Sequence, residues 1–115
     1  MNTVTIIGRV GRDASENFTS FESGKTKASF SVAVGRWDAK TKSEVTDWFN
    51  INAWDKLAEF SAQYIKKGSM VAVDGRIANN RWNDKMTGEA KESFYINANE
   101  IRFVGSKRDA EAFAQ

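Results

Sequence analysis

Four tryptophans are the residues of this 115-residue chain whose type and spacing most directly suggest a chemical role. Two of them, Trp48 and Trp54, lie six positions apart in the stretch TDWFNINAWDK. Side chains alternate between the two faces of a strand, so both indoles would lie on one face, opposite a core face formed by Phe49, Ile51 and Ala53. An indole that the core does not use can stack on another flat π system, such as an unpaired nucleic-acid base.

Composition excludes several other chemistries. The chain has no cysteine and no histidine, which removes thiol nucleophiles, disulfides, thiolate or imidazole metal sites and the commonest general base. Asp47, Asp55 and Asp74 could in principle hold a pair of metal ions, as in a nuclease, but they fall on separate elements without a diagnostic spacing. The sequence therefore predicts a binding protein without catalytic residues, cofactor or metal.

The charge pattern is a weaker indication. The formal net charge is +2, from 17 Lys+Arg and 15 Asp+Glu. Segment 25–42 carries one acid, Asp38, and five cations: Lys25, Lys27, Arg36, Lys40 and Lys42. This local excess fits either a solvated hairpin or a surface that binds an anion.

Hydrophobic periodicity predicts the elements that would position these residues. Alternating segments predict five strands at 3–10, 25–37, 45–54, 69–82 and 92–104, and polar segments at 38–44 and 83–90 would form the tips of two long hairpins. Three strands, a short helix and two more strands in one domain predict an all-β OB fold. This is a five-stranded Greek-key barrel with one short helix between strands three and four. Gly8 and Gly75 could each mark a bulge.

The segment DKLAEFSAQYIKKG predicts that helix. Its inward stripe has helical spacing and consists of Leu57, Phe60, Ser61, Tyr64 and Ile65. Asp55 is placed to cap the N-terminus, Lys66 and Lys67 fit the last turn, and Gly68 is placed to end the helix.

Strand parity puts all four tryptophans off the predicted core face. The core residues on the second and fourth strands are expected to be Ala28, Phe30, Val32 and Val34, then Val71, Val73 and Ile77. The tryptophans of opposite parity are Trp37, Trp48, Trp54 and Trp82. The polar residues predicted to share their faces are Asn50, Asn52, Arg76 and Asn80, while Arg81 adjoins Trp82 in sequence.

Exposed indoles interleaved with amides and cations predict a partner, because soluble proteins seldom expose an apolar patch without one. Single-stranded nucleic acid fits best, since its bases can stack on indoles while Lys and Arg meet its phosphates. Trp48 and Trp54 would be about 20 Å apart at ~3.3 Å per residue, which suits a strand laid along the sheet. Three alternatives remain open: each indole could be a structural plug or a subunit contact, the face could bind protein, or RNA could be the main ligand.

Three stretches resemble the bacterial single-stranded DNA-binding proteins over roughly residues 2–105: VTIIGRVGRD, DWFNINAWDKLAEFSAQYIKKGSMVAVDGRI and RWNDKMTGE. The resemblance implies an OB-fold homotetramer in the bacterial cytoplasm, associated with the nucleoid. Such a protein wraps and protects single-stranded DNA during replication, recombination and repair. The family's stacking positions correspond to the four tryptophans, with Trp54 in place of the usual Phe, and its basic contacts correspond to Lys56, Lys67 and Arg81. Phe49 replaces a usual His at a subunit contact. Neighbouring cations complete the expected DNA-binding set: Lys25, Lys27, Arg36 and Arg76.

The C-terminus departs from that family pattern. Family members generally continue into a Gly/Pro-rich linker and an acidic tip ending in Phe that docks partner enzymes. Here the chain reads GSKRDAEAFAQ, with only Asp109 and Glu111 as acids after Arg108. We therefore expect one DNA-binding domain at 1–105 and a short flexible extension at 106–115. Replication or repair proteins stay open as partners, although the usual acidic docking tip is absent. The sequence also shows no basic leader and no apolar run long enough to span a membrane.

Overall fold

The computed structural model describes residues 1–104, in which the chain forms six strands, one α-helix and a short 3₁₀ helix. In chain order the strands are β1 Val4–Val10, β2 Phe18–Ser20, β3 Thr26–Asp38, β4 Ser43–Trp54, β5 Met70–Asn83 and β6 Ala90–Phe103. The 3₁₀ helix is Ala14–Asn17, and the α-helix, α1, is Lys56–Tyr64. The predicted extension at 106–115 lies outside the described residues.

Five of the strands close into a barrel. The sheet runs in the order β1-β5-β6-β4-β3-β2, and β1 also pairs with β3, which closes the barrel and leaves β2 outside it. The β4–β6 pair is parallel and the other pairs are antiparallel. The predicted five-stranded OB barrel is confirmed, with α1 between its third and fourth strands. The short β2 and the 3₁₀ helix were not predicted, because three- and four-residue elements show no measurable periodicity.

The core follows from alternation along the long strands. On β3, Ala28, Phe30 and Val32 are buried, and on β4, Ile51 and Ala53 are fully buried. Further buried apolar side chains come from the other elements, including Val10, Ala58, Ile65, Val71, Val73, Ile96 and Ile101. The core faces predicted for the second and third barrel strands are therefore confirmed.

Two glycines allow strands to approach closely. A Cβ on Gly8 would lie 2.2 Å from the carbonyl oxygen of Ala33, and one on Gly75 would lie 2.2 Å from that of Asn97. The bulge predicted at Gly8 is wrong, since β1 pairs with β5 in unbroken register from Val4 to Arg9. At Gly75 the predicted irregularity is confirmed, because the β5–β6 register shifts between Asp74 and Gly75.

The helix is shorter than predicted and is capped differently. It ends at Tyr64 because Ile65 turns into extended backbone and is fully buried, so Lys66 and Lys67 lie beyond the last turn. Gly68, at φ +90°, belongs to the following turn, where its N–H donates to the Val10 carbonyl. Asp55 occupies the N-cap position, but its side chain makes no cap hydrogen bond.

Two residues predicted to face the core are exposed instead. Tyr64, the last residue of the helix, is 48% exposed, and its ring lies against Phe60 at 5.1 Å between centroids. Ile77 is 44% exposed although it lies opposite the buried Ile96. At that point the β5–β6 hairpin extends past Ile51, the end of the β4–β6 pairing, so no further strand covers it.

Candidate nucleic-acid interface

Strand register places all four tryptophans on one face of the sheet. Directly paired residues share a face, and Lys27 pairs with Trp54, Ala33 with Trp48 and Trp37 with Glu44. Even separations along β3 and β4 then put these three indoles on the side of Lys27.

The fourth indole is connected to that face through β6. Asn52 of β4 pairs with Asn97 of β6, and Asn97 pairs with Arg76 of β5. Trp82 lies six residues after Arg76 on the same strand, so it shares the face. The four rings are 63% exposed for Trp37, 60% for Trp48, 38% for Trp54 and 46% for Trp82. Their predicted position outside the core is confirmed, and we call this surface the tryptophan face.

A polar groove of about 580 Å³ crosses the tryptophan face. Its lining includes the short amide and hydroxyl side chains Ser29, Ser31, Asn50, Asn52, Asn80 and Ser93. Arg12 and Lys27 add cations, and Trp54 and Tyr95 add flat rings. The hydroxyl of Ser29 donates to Oδ1 of Asn52 at 2.7 Å, which leaves the Asn52 amide protons available to a ligand. The groove thus combines stacking surfaces, hydrogen-bond donors and positive charge.

Three side chains contact the Trp54 indole. Its Nε1–H donates to Oδ1 of Asn97 at 3.2 Å. The Phe21 ring stacks on it with centroids 5.9 Å apart and an interplanar angle of 22°. The ammonium of Lys27 lies 5.8 Å from the ring centroid, within cation–π range. The Trp54 ring is therefore oriented before any ligand arrives.

The Trp48 indole lies against the backbone that follows β1. A Cβ built on Gly11 would come within 2.6 Å of Trp48 Cζ3 and 2.8 Å of the Ser31 hydroxyl oxygen. The Gly11 N–H also donates to the Ser31 carbonyl at 2.9 Å, which holds this backbone against β3. Only glycine leaves room for the ring in this position.

Trp37 and Trp82 lie on the two long hairpins. Trp37 precedes the β3–β4 turn, and Trp82 pairs with Lys91 near the end of the β5–β6 hairpin. Both residues lie further along their strands than the groove residues do. The four aromatic rings are therefore spread along the length of the face.

The predicted cations fall into two groups. Lys27 and Arg76 lie on the tryptophan face. Lys25 is in the turn before β3, Lys56 begins α1, and Lys67 lines a surface cleft with Gly11 and Arg12. None of these last three lines the groove itself.

The second group consists of Arg36 and Arg81, which lie on the opposite face from their tryptophan neighbours. Arg36 Nε pairs with Oδ2 of Asp47, and Arg81 Nε pairs with Oε2 of Glu92, each at 2.7 Å. Successive residues of a strand point to opposite faces, so adjacency to Trp37 or Trp82 does not place a cation beside the indole. The structure therefore does not bring these two guanidinium groups together with the tryptophan rings.

Of the site residues that were missed from the sequence, three supply charge or a flat ring: Arg12, Phe21 and Tyr95. Tyr95 could have been found, since it has the parity of Asn97 and the opposite parity to the buried Ile96. Arg12 and Phe21 lie outside the strands, where alternation gives no information about direction.

The three aspartates considered for metal binding have separate partners. Asp47 pairs with Arg36, and Asp55 accepts from the Thr26 backbone N–H at 3.3 Å. The Thr5 hydroxyl donates to Asp74 at 2.5 Å and, with a further contribution from Arg102, holds the pKa of that carboxyl below its usual value. Within residues 1–104, no group of three or more acidic side chains is arranged to hold a metal ion. None of the helices described there is long and apolar enough to cross a membrane.

Comparison with known proteins gives the family. The sequence model described as the single-strand binding protein family matches residues 1–104. The chain belongs to this family. Its members are non-catalytic DNA-binding proteins, and the chain is accordingly not an enzyme.

Individual relatives agree with this assignment. Single-stranded DNA-binding protein 1 of Synechocystis sp. is 38% identical over 97% of this chain and 91% of its own length. Single-stranded DNA-binding protein 1 of Nostoc sp. is 36% identical over 96% of this chain and 89% of its own length. Among solved structures, the Plasmodium falciparum SSB complex with ssDNA superposes with a TM-score of 0.78. It covers 91% of this chain and 96% of that one at 24% identity, which supports the fold.

Proposed function

We propose that this chain binds single-stranded DNA along the tryptophan face with little sequence preference. The observation that carries the proposal is the exposure of four indoles, each between 38% and 63%, on one side of the sheet beside a cationic polar groove. The curated relatives carry the name single-stranded DNA-binding protein, which supports the same ligand.

The physical basis is base stacking combined with phosphate contact. Unpaired bases stack on Trp37, Trp48, Trp54 and Trp82. Such stacking contributes ~1–3 kcal/mol per base in single-strand-binding OB domains in general. The range comes from that class of domain and not from this chain. A duplex encloses its base faces, so it cannot use these rings. Because every base has a π face, stacking discriminates little between sequences.

Phosphates between the stacked bases are expected to meet the cations around the groove. Lys27 and the newly recognised Arg12 line it directly, and Arg76 lies on the same face. Lys25, Lys56 and Lys67 are the expected phosphate contacts outside the groove. Arg36 and Arg81 would reach DNA only after leaving their carboxylate partners, so we assign them a smaller contribution. Each phosphate contact releases counterions, which makes binding salt-dependent.

We further propose that the chain protects single-stranded DNA during replication, recombination and repair in the bacterial cytoplasm. This role follows from a sequence-tolerant ligand and from the family to which the chain belongs.

We also propose a homotetramer. Ile77 and Phe94, exposed by 44% and 60%, border an apolar pocket of about 330 Å³ with Phe49 and Ile96. A surface of this kind suits a subunit contact. Sedimentation velocity should give four copies for the wild-type chain and smaller species for Ile77→Glu, and a monomeric wild type would contradict the assembly.

The function is tested by titrating intrinsic tryptophan fluorescence at two salt concentrations with oligo-dT, the matched RNA strand and a DNA duplex of equal length. Oligo-dT should quench strongly and the duplex far less, and the affinity should fall as salt rises. Unchanged emission with oligo-dT at low salt would end the proposal. Tighter binding of the RNA strand would make RNA the main ligand.

A further inference from the structure

Phe21 is a neighbour of the Trp54 ring that the proposed function does not use. Phe21 stacks on the indole, yet among the described residues it is not part of the groove lining, whereas Trp54 and Lys27 are. Phe21 therefore contacts the ring from outside the groove. We propose that Phe21 is a positioning residue, which holds the Trp54 indole so that its groove side receives a base. This inference rests on the proposed function.

The segment that carries Phe21 is firmly held. The Phe21 N–H donates to the Lys25 carbonyl at 2.8 Å, and the Phe21 carbonyl accepts from the Gly24 N–H at 2.9 Å. Gly24 has φ +90°, a conformation that glycine adopts without strain. These bonds close a tight turn between β2 and β3 and fix the direction from which Phe21 leaves the backbone.

The turn is also tied to the end of β4, where Trp54 lies. The Asp55 N–H donates to the Thr26 carbonyl at 2.9 Å, and the Asp55 carboxylate accepts from the Thr26 N–H at 3.3 Å. Asp55 has φ +53°, a conformation that non-glycine residues adopt rarely and that surrounding contacts must maintain. Asp55 thus holds together the two segments that bring Phe21 onto Trp54, which explains why its side chain does not cap the helix.

Phe21 and Asn97 restrain different parts of the indole. Asn97 fixes the ring edge by accepting the Nε1–H, and Phe21 covers part of a broad side. An exposed indole without these contacts would lose conformational freedom on binding DNA, and this loss would weaken the complex. With them, much of that ordering has already occurred in the free protein.

The test is a double-mutant cycle on the full chain, with oligo-dT as the probe. Trp54→Ala should weaken binding by about 5- to 150-fold, the equivalent of losing one stacked base. Phe21→Ala should weaken it by about two- to tenfold, the range for losing one aromatic pair. The double variant should bind within about twofold of Trp54→Ala, because Phe21 has no role once the indole is absent.

Three companion variants separate positioning from folding. Phe21→Leu keeps apolar bulk but lacks a flat ring, so it should behave like Phe21→Ala even if the alanine variant is unstable. Phe21→Tyr, which keeps a flat ring, should bind with wild-type affinity. Phe18→Ala is the matched control: Phe18 is 38% exposed, but it pairs with the buried Ala28 and so lies on the opposite side of the sheet from Lys27. It should leave the affinity unchanged, and melting temperatures should be recorded for every variant.

Each outcome is decisive. Wild-type affinity in Phe21→Ala alongside a weakened Trp54→Ala would overturn the positioning role and leave the proposed function intact. Additive losses in the double variant would also overturn it, since Phe21 would then be an independent DNA contact. Wild-type affinity in Trp54→Ala would instead remove this part of the proposed function together with the inference.

Discussion

The contact between Gly11 and Trp48 allows one methyl group to test whether ring position matters for binding. In Gly11→Ala the new Cβ would lie 2.6 Å from Trp48 Cζ3, whereas carbon atoms in contact are ordinarily ~3.5–4.0 Å apart. Something must therefore move by about 1 Å. The Gly11 backbone is bonded to Ser31, while the Trp48 ring is 60% exposed, so we expect the ring to move. The Ser31 hydroxyl, whose oxygen would lie 2.8 Å from the new Cβ, must rotate away as well.

The size of the effect follows from that displacement. A gap of 0.5–1 Å forfeits roughly a quarter to a half of a van der Waals contact, and one stacked base contributes about 1–3 kcal/mol in OB domains of this kind. Gly11→Ala should therefore weaken oligo-dT binding by roughly 0.3–1.5 kcal/mol, or about two- to tenfold. Stability should change by no more than about 1 kcal/mol, because an exposed side chain can yield.

Anisotropy of a labelled oligo-dT measures the affinity, and thermal melting measures the stability. Gly35→Ala is the matched control, because Gly35 on β3, like Gly11, has no positive φ, and a Cβ there would meet no atom within 4 Å. It should bind as the wild type does. Wild-type affinity in Gly11→Ala would refute the role given to Trp48. A fall in melting temperature beyond about 8 °C would show that the backbone, rather than the ring, had moved.

Three further predictions concern the barrel, its pH response and the cations. Gly8→Ala would place a Cβ 2.2 Å from the Ala33 carbonyl oxygen, a backbone atom that cannot move aside. Urea denaturation should therefore show a free energy of unfolding lower by about 3 kcal/mol. An unchanged value would contradict the close packing of β1 on β3. The pKa of Asp74 is lowered in the folded state, so its bond to Thr5 stabilises the fold above the unfolded pKa of about 3.9 and is lost as the pH falls through the lower folded value. Asp74→Asn should therefore be less stable than the wild type at pH 7, with the difference closing in acid; a difference independent of pH would contradict this. Arg12→Ala should reduce the salt slope of oligo-dT binding by about 0.7, the contribution of one phosphate on a single strand. Arg81→Ala should leave the slope nearly unchanged. The reverse order would show that the ion pair with Glu92 does not hold Arg81 away from the DNA.

The alternation of side chains along the strands was the sequence pattern that predicted the structure best. Residues such as Ile51 and Trp54 lie in a long strand paired on both sides, where side-chain direction follows a period of two. The same rule applied to Arg81 turns its side chain away from Trp82, towards its ion pair with Glu92, whereas adjacency in sequence gives no direction. Ile77 has the parity of the core but lies where the hairpin leaves the barrel, and alternation cannot show where a barrel ends.

The turns could not be predicted, because tertiary contacts decide them. Asp55 matches a helix cap in sequence, yet its carboxylate bonds to Thr26, which is distant in the chain. The same contact between Asp55 and Thr26 also brings Phe21 onto Trp54. No local pattern in the sequence records that encounter, so the positioning of the Trp54 ring became visible only in the folded chain.

The central claim is that single-stranded DNA contacts the four indoles directly, and fluorine NMR of the chain labelled with 5-fluorotryptophan tests this most directly. Each of the four signals can be assigned with a single Trp→Phe variant. Oligo-dT should shift all four signals, and an equal length of duplex should leave them in place. Binding of oligo-dT at full affinity with the four signals unmoved would contradict the claim.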